Sequence, residues 1–147
     1  KICKKYKIKF LINDDVMLAK KIDSDGCHLG QKDMDISKAK KILKNKIIGV
    51  TCHNSIKLAK YASSNGANYI ALGAFYKTRT KKVIHRADIK TLNKIKKSVK
   101  IPVVAIGGIN HQNYKKLLLN KADFLAISGY IWNNKKLKRH QAIKNLI

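Results

Sequence analysis

The sequence predicts a parallel α/β fold, and three observations carry that expectation. Short apolar runs rich in Ile, Val, Leu and Ala alternate with lysine-laced segments of helical period, and the alternation persists to the end of the 147-residue chain. The runs are nearly continuous in apolarity, as in Pro102-Val103-Val104-Ala105-Ile106, which marks strands covered on both faces and therefore parallel. Polar residues or glycines gather where almost every run ends, at the pole where parallel α/β proteins build their sites. Six strand-helix units fit a doubly wound sheet, and they also fit six of the eight units of a (β/α)8 barrel.

Taken in order, a first strand is expected over 8–13, closed by Asn13-Asp14-Asp15, and a helix over 16–22 that Asp15 is placed to cap. A second strand over 26–29 leads to a helix over 36–43. The third strand, 46–51, precedes a helix over 55–64 with Ile56, Leu58, Ala59 and Ala62 on one side and Asn65-Gly66 as its C-cap. A fourth strand over 69–73 opens into a long polar segment before a helix at 89–99. Strand 103–107 and helix 112–120 follow, then strand 124–128 and a terminal helix near Ala142. No linker or low-complexity tract interrupts this order, so residues 1–147 read as one domain. The chain opens on Lys1 rather than Met and is read as a piece of something longer.

Composition narrows the class. With 45% apolar residues the chain can bury a core, and with 1 Pro and 8 Gly it is neither collagenous nor low-complexity. No apolar run approaches the roughly 18 residues a membrane span needs, and no signal-peptide pattern follows Lys1, so a soluble cytoplasmic protein is expected. Cys3, Cys27 and Cys52 are odd in number and widely spaced, which suggests reduced thiols rather than a disulfide framework. The five histidines form no HxH or HExxH pattern, so any metal is expected to be held by oxygen. A net charge of +25 favours anionic partners carrying phosphate. Thirty of the 33 cations are Lys, only Arg79, Arg86 and Arg139 are Arg, and Glu is absent. Nucleic-acid readers lean on Arg. The charge is therefore read chiefly as a solvated lysine coat, with a basic nucleic-acid-binding module as the alternative from another class.

The strand ends supply the candidate chemistry. Asn, Asp, Ser and Gly are ordinary turn and cap residues one at a time, but six such sites at one end of successive strands suggest a shared mouth. Asp14 and Asp33 follow consecutive strands, so their carboxylates can converge from adjacent loops. Two carboxylates with no soft ligand suit Mg²⁺, which keeps waters and bridges to phosphate. Asn13, at a strand tip, is placed to donate an amide hydrogen bond to substrate. The segment 75–82 has two hydroxyls, Thr78 and Thr80, and four cations including Lys81, with no apolar periodicity; it reads as an anion-gripping loop. Ile106-Gly107-Gly108-Ile109 allows backbone N–H groups to approach a ligand, and with Ile127-Ser128 it would build a phosphate site.

Phe10-Leu11-Ile12-Asn13-Asp14-Asp15, Gly26-Cys27-His28-Leu29-Gly30-Gln31-Lys32-Asp33, Ile48-Gly49-Val50-Thr51-Cys52-His53, Ala67-Asn68-Tyr69-Ile70 with Gly73, Thr78-Arg79-Thr80-Lys81, the run 101–109 and Ile127-Ser128 stand in one order along nearly the whole chain. In that order they resemble the thiamine phosphate synthase family. The resemblance implies a (β/α)8 barrel of which this chain holds strands three to eight. It also implies joining of a hydroxymethylpyrimidine diphosphate to a hydroxyethylthiazole phosphate, giving thiamine phosphate and diphosphate. In the family the diphosphate departs first, and the thiazole nitrogen captures a pyrimidinylmethyl cation. Carried over by residue, Asp14 and Asp33 would bind Mg²⁺; Asn13, Thr51 and Lys81 would contact the pyrimidine diphosphate; Thr78, Thr80, Gly108, Ile127 and Ser128 would hold the thiazole phosphate. Thr51 and Lys81 are the expected catalytic pair. The partners implied are small phosphate esters, with neither membrane nor nucleic acid.

The departures from the family pattern are specific. A Gln-Arg-Lys diphosphate-binding segment that precedes these units in the family is not in the chain, which is therefore expected to be inactive alone. Thr51 stands for the usual Ser and keeps the hydroxyl. Lys32 replaces a commonly acidic residue, and the run 119–123 lacks the family's Gly. His53 invites comparison with the related thiazole tautomerases, which use a His at this place; an isomerase is the near alternative. His28 is expected to be a packed strand residue, and His85, His111 and His140 to be solvated.

Overall fold

Six short strands hydrogen-bond side by side in the order of the chain, every neighbouring pair parallel. The structure is a computed structural model that describes residues 1–78, 80 and 83–147. After a short helix α1 (Ile2–Lys5), the order is β1 (Leu11–Asn13), α2 (Val16–Lys21), β2 (Gly26–Leu29), α3 (Ile36–Leu43), β3 (Ile47–His53), α4 (Ile56–Ser64), β4 (Tyr69–Leu72) and α5 (Ile89–Ser98). Then follow β5 (Val103–Ile106), α6 (Tyr114–Leu119), β6 (Phe124–Ala126), α7 (Gly129–Trp132) and α8 (Arg139–Lys144). Strand order equal to chain order is barrel topology; a doubly wound sheet reverses direction at a switch point, and none occurs here. The fold is a run of six units of a (β/α)8 barrel.

Each expected strand and major helix is present. The two outermost strands are shorter than expected, three residues each, because an edge strand has a hydrogen-bonding neighbour on one side only. Helices α1 and α7, four residues each, fall where no periodicity announced them.

Local chemistry fixes where elements begin. The side chains of Asp15, Asp35, Ser55 and Asp88 accept from backbone N–H groups in the first turns of α2, α3, α4 and α5. A second device starts the strands. The residue before β2, Asp25, donates its N–H to the Phe10 carbonyl while its carboxylate accepts from Phe10 N–H at 3.0 Å. Asn68 before β4 does the same to Ile48 (2.7 and 2.9 Å), and Asp123 before β6 to Val103 (2.9 and 2.7 Å). Each clamp pins one strand's start to its predecessor, setting the register in which alternate side chains face opposite ways.

One face of the sheet carries Cys27, Leu29, Ile48, Val50, Cys52, Ile70, Leu72, Val103 and Ala105, all buried under the helices with Ala19, Ala39, Ala59, Leu92, Ile95 and Leu117. Full burial of a Leu or Ile such as Leu92 or Ile95 contributes roughly 2 kcal/mol. Cys27 and Cys52 are free thiols; burial, aided by the Asp14, Asp15 and Asp33 carboxylates, pushes Cys27 up to about 11, and burial pushes Cys52 up to about 12. Both are packing residues rather than nucleophiles. The alternate positions, including His28, Gly49, Thr51 and Tyr69, lie on the face turned away from the helices. No described helix is long and apolar enough to cross a membrane.

Candidate active site

All six strands are parallel, so their C-terminal tips share one pole, and two groups of expected site residues assemble there. The first group stands on β1, β2 and β3. Asp14 N–H donates to the His28 carbonyl at 2.8 Å, so the β1 loop is bound to the tip of β2. Asp14 itself has φ 69°, a left-handed conformation that Asp tolerates. Asp15 turns its carboxylate to Leu18 N–H at 2.8 Å as the α2 cap, the role foreseen for it. Asp33 Oδ2 accepts from Gly30 N–H at 2.6 Å and closes the β2 loop. That loop is tied onward to β3 by Gln31, whose amide donates to the Thr51 carbonyl.

The aspartates divide sharply by task. Asp15, Asp35 and Asp88 cap helices, Asp25 and Asp123 clamp strands, Asp23 pairs with Lys46, and Asp33 closes its loop. Among the described residues, the Asp14 carboxylate alone takes no hydrogen bond, and it stands exposed at the tip of β1. The Asp14 N–H on the His28 carbonyl and the Asp33 carboxylate on the Gly30 N–H set both residues around the end of β2. Their donors are hard oxygens, the right set for Mg²⁺. No group of three His, Cys, Asp or Glu side chains gathers among the described residues, so an ion here would complete its shell with water or substrate oxygen.

Thr51 and His28 meet inside this group: Thr51 Oγ1 lies 2.8 Å from His28 Nε2, and His28 Nδ1 lies 2.8 Å from the Tyr69 hydroxyl. His28 is thus packed, as expected, but within a polar row. Sequence reading passed over Tyr69, although its place on the same strand face as Thr51 is the period-two signal that would have found it. His53, at φ 54° on the end of β3, packs its ring 4.4 Å from that of His85. Burial and the neighbouring His85 hold His53 below its ordinary pKa. His85 is exposed, as expected, yet it is partnered.

The second group stands beyond β4, β5 and β6. Phe75 and Tyr76 donate their N–H groups to the Ile106 and Gly107 carbonyls, both at 3.0 Å, fastening the loop after β4 along the end of β5. Gly108, at φ +67°, is hemmed in by this loop: a Cβ there would collide with the Lys77 carbonyl and sit 2.8 Å from the Tyr76 carbonyl carbon. Only glycine fits. Thr78 and Thr80 follow at once, their hydroxyls 3.3 Å apart. A Cβ on Gly129 would lie 3.2 Å from the Thr80 hydroxyl, so the threonine loop also reaches the segment carrying Ile127 and Ser128. The loop carrying Thr78 and Thr80 is thus set against Gly108 on one side and Gly129, the residue after Ser128, on the other. Lys81, the expected cation of the site, lies outside the described residues.

A family described as Thiamine monophosphate synthase matches residues 1–131. The chain is 69% identical over 146 residues to the thiamine-phosphate synthase of Pelagibacter ubique, covering 99% of this chain and 70% of that protein. To that of Clostridium acetobutylicum it is 45% identical over 139 residues, 94% of this chain and 65% of the relative. The thiamine phosphate pyrophosphorylase of Pyrococcus furiosus superposes with a TM-score of 0.88 at 34% identity, over 99% of this chain and 68% of that one. A 3-hexulose-6-phosphate synthase, at TM-score 0.73 and 16% identity, shares the fold. The chain therefore spans about two thirds of the length of the relatives it matches.

Proposed function

The chain belongs to the thiamine monophosphate synthase family, and on that premise we propose that the full-length protein transfers a hydroxymethylpyrimidine group from its diphosphate to hydroxyethylthiazole phosphate. The observation that carries the reading is the economy of acid. In a chain with eight Asp and no Glu, one carboxylate, Asp14, takes no hydrogen bond or ion pair from the described residues, and it stands at the pole where the threonine and glycine loops assemble.

In this reading Asn13 donates to the pyrimidine diphosphate, and Asp14 and Asp33 are the residues that would hold Mg²⁺. An ion so held would neutralise charge on the diphosphate. Thr51 and Lys81 stabilise the charge that grows on the departing diphosphate as its C–O bond breaks, which is the dissociative course. Thr78, Thr80, the Gly108 N–H, the Ile127 backbone and Ser128 hold the thiazole phosphate so that its ring nitrogen meets the pyrimidinylmethyl carbon. The ring nitrogen supplies the electron pair of the new bond, so no side-chain nucleophile is required. The unreactive, reduced thiols of Cys27 and Cys52 accord with a cytoplasmic location.

The test is diphosphate release by the full-length protein with both substrates and Mg²⁺. Turnover that Asp14→Asn abolishes supports the transfer. Turnover of a thiazole isomer that survives Asp14→Asn but fails in His53→Asn would replace it with the tautomerase reading, and a folded protein that releases nothing would end it.

A further inference from the structure

Three strands contribute one side chain each to a hydrogen-bonded row on the face turned away from the helices: Tyr69 from β4, His28 from β2 and Thr51 from β3. The Tyr69 hydroxyl is 2.8 Å from His28 Nδ1, His28 Nε2 is 2.8 Å from Thr51 Oγ1, and the Tyr69 and His28 rings stack with centroids 5.5 Å apart. Tyr69 and His28 are not on adjacent strands; Gly49 of β3 lies between them, paired with both in register. The Tyr69 ring crosses directly over Gly49, and a Cβ at that position would overlap its Cζ and hydroxyl. The glycine is the gap through which β4 reaches β2.

The direction of the row follows from proton bookkeeping. Burial pushes the Tyr69 phenol up to about 12, so its hydroxyl keeps its hydrogen throughout the neutral range. Among the described residues the acceptor offered to that hydrogen is His28 Nδ1. A neutral imidazole that accepts at Nδ1 carries its proton on Nε2, so Nε2–H donates to Thr51 Oγ1. The Thr51 hydroxyl then accepts within the row, and its own hydrogen has no other partner among the described residues.

We propose that Tyr69 and His28 are positioning residues that fix the Thr51 hydroxyl as a donor pointing out of the row, toward an acceptor oxygen on the diphosphate substrate. The inference rests on the synthase reading above. It explains why a hydroxyl residue at position 51 of β3 is backed by a histidine from β2 and a tyrosine from β4, and why position 49, over which the tyrosine crosses, is glycine.

Two measurements on the full-length protein test it. Long-range ¹H–¹⁵N NMR of His28 should show the proton on Nε2 and none on Nδ1 at neutral pH, and Tyr69→Phe should abolish that preference. A proton on Nδ1, or a preference unchanged by Tyr69→Phe, overturns the proposal. In steady-state kinetics, Tyr69→Phe should lower kcat about fivefold to tenfold, the equivalent of one net hydrogen bond, with KM little changed. On a Thr51→Ala background the same change should cost less than about twofold, since coupled residues are not additive. Equal losses on both backgrounds overturn the proposal. Should Tyr69→Phe fail to fold, the comparison passes to His28→Gln, which keeps an N–H donor and should retain more activity than His28→Ala; equal loss in both counts against it. Absence of diphosphate release by the wild-type protein is a different failure, that of the synthase reading itself.

Discussion

Asp14 and Asp15 are neighbours of one chemistry with opposite assignments, and the contrast makes a sharp residue-level experiment. Asp15 is bound to Leu18 N–H as a helix cap, so Asp15→Ala should destabilise the fold by about 1 kcal/mol in denaturant melts. Turnover in the stable fraction should survive. Asp14→Asn removes a carboxylate that no described group uses, and should leave the melt unchanged while lowering kcat/KM by roughly a hundredfold or more. A reversed pattern would mean that the two roles are exchanged. His53 gives a pH signature at the same scale. Its folded pKa lies below the ordinary 6.5 through burial and the facing His85, so the neutral ring is the one the fold favours. Its contribution is complete above 6.5 and is lost as pH falls from there through the lower folded value. The melting temperature should drop across that window on acidification, and His53→Asn should flatten the drop.

At the scale of elements, the strand-start clamps explain how short strands hold register. Asp123 Oδ2 accepts from Val103 N–H at 2.7 Å and from Lys96 Nζ at 2.6 Å, joining β6, β5 and α5. Burial works to raise the Asp123 pKa, but the lysine and the backbone N–H outweigh it and hold the carboxyl below its usual 3.8. The clamp is therefore intact above 3.8 and loosens as pH falls below it. Asp123→Ala should cost about 2 kcal/mol at neutral pH, and Asp123→Asn less, since its carbonyl can still accept from Val103. A null effect of both on thermal melts would deny the clamp its role. The elements themselves were legible: Val103 to Ile106 is a continuous apolar run, and the Ile56, Leu58, Ala59, Ala62 stripe has helical period. The clamps were not, because Asp25, Asn68 and Asp123 look in sequence like any polar residue in a turn before a strand.

For the whole molecule, charge and edges matter most. A net charge of +25 gives the chain an overall positive field, which favours the approach of anions. Raising ionic strength toward 0.15 M, where screening acts within about 8 Å, should lower kcat/KM for the diphosphate substrate and leave kcat nearly constant. A salt-independent kcat/KM would show that the lysine coat takes no part in capture. Strands β1 and β6 are the two edges of the sheet, and Phe10 and Phe124 near them are exposed by 45% and 60%. Residues 1–147 expressed alone should therefore self-associate through these edges, read as concentration-dependent size in sedimentation.

By itself the sequence determined the order and kind of the elements, since apolar runs and helical stripes are local patterns that each segment declares on its own. It also showed which strand ends carry polar and glycine residues, because Asn13-Asp14, Thr78, Thr80 and Gly107-Gly108 follow their strands closely. Only the tertiary structure decided that the Asp14 carboxylate takes no hydrogen bond from the described residues, and that Gly108 is walled in by the loop after β4. It alone joined Tyr69 to Thr51 through His28. Those facts depend on register between strands far apart in the chain, and register is fixed by long-range hydrogen bonds and packing that no local window of residues contains.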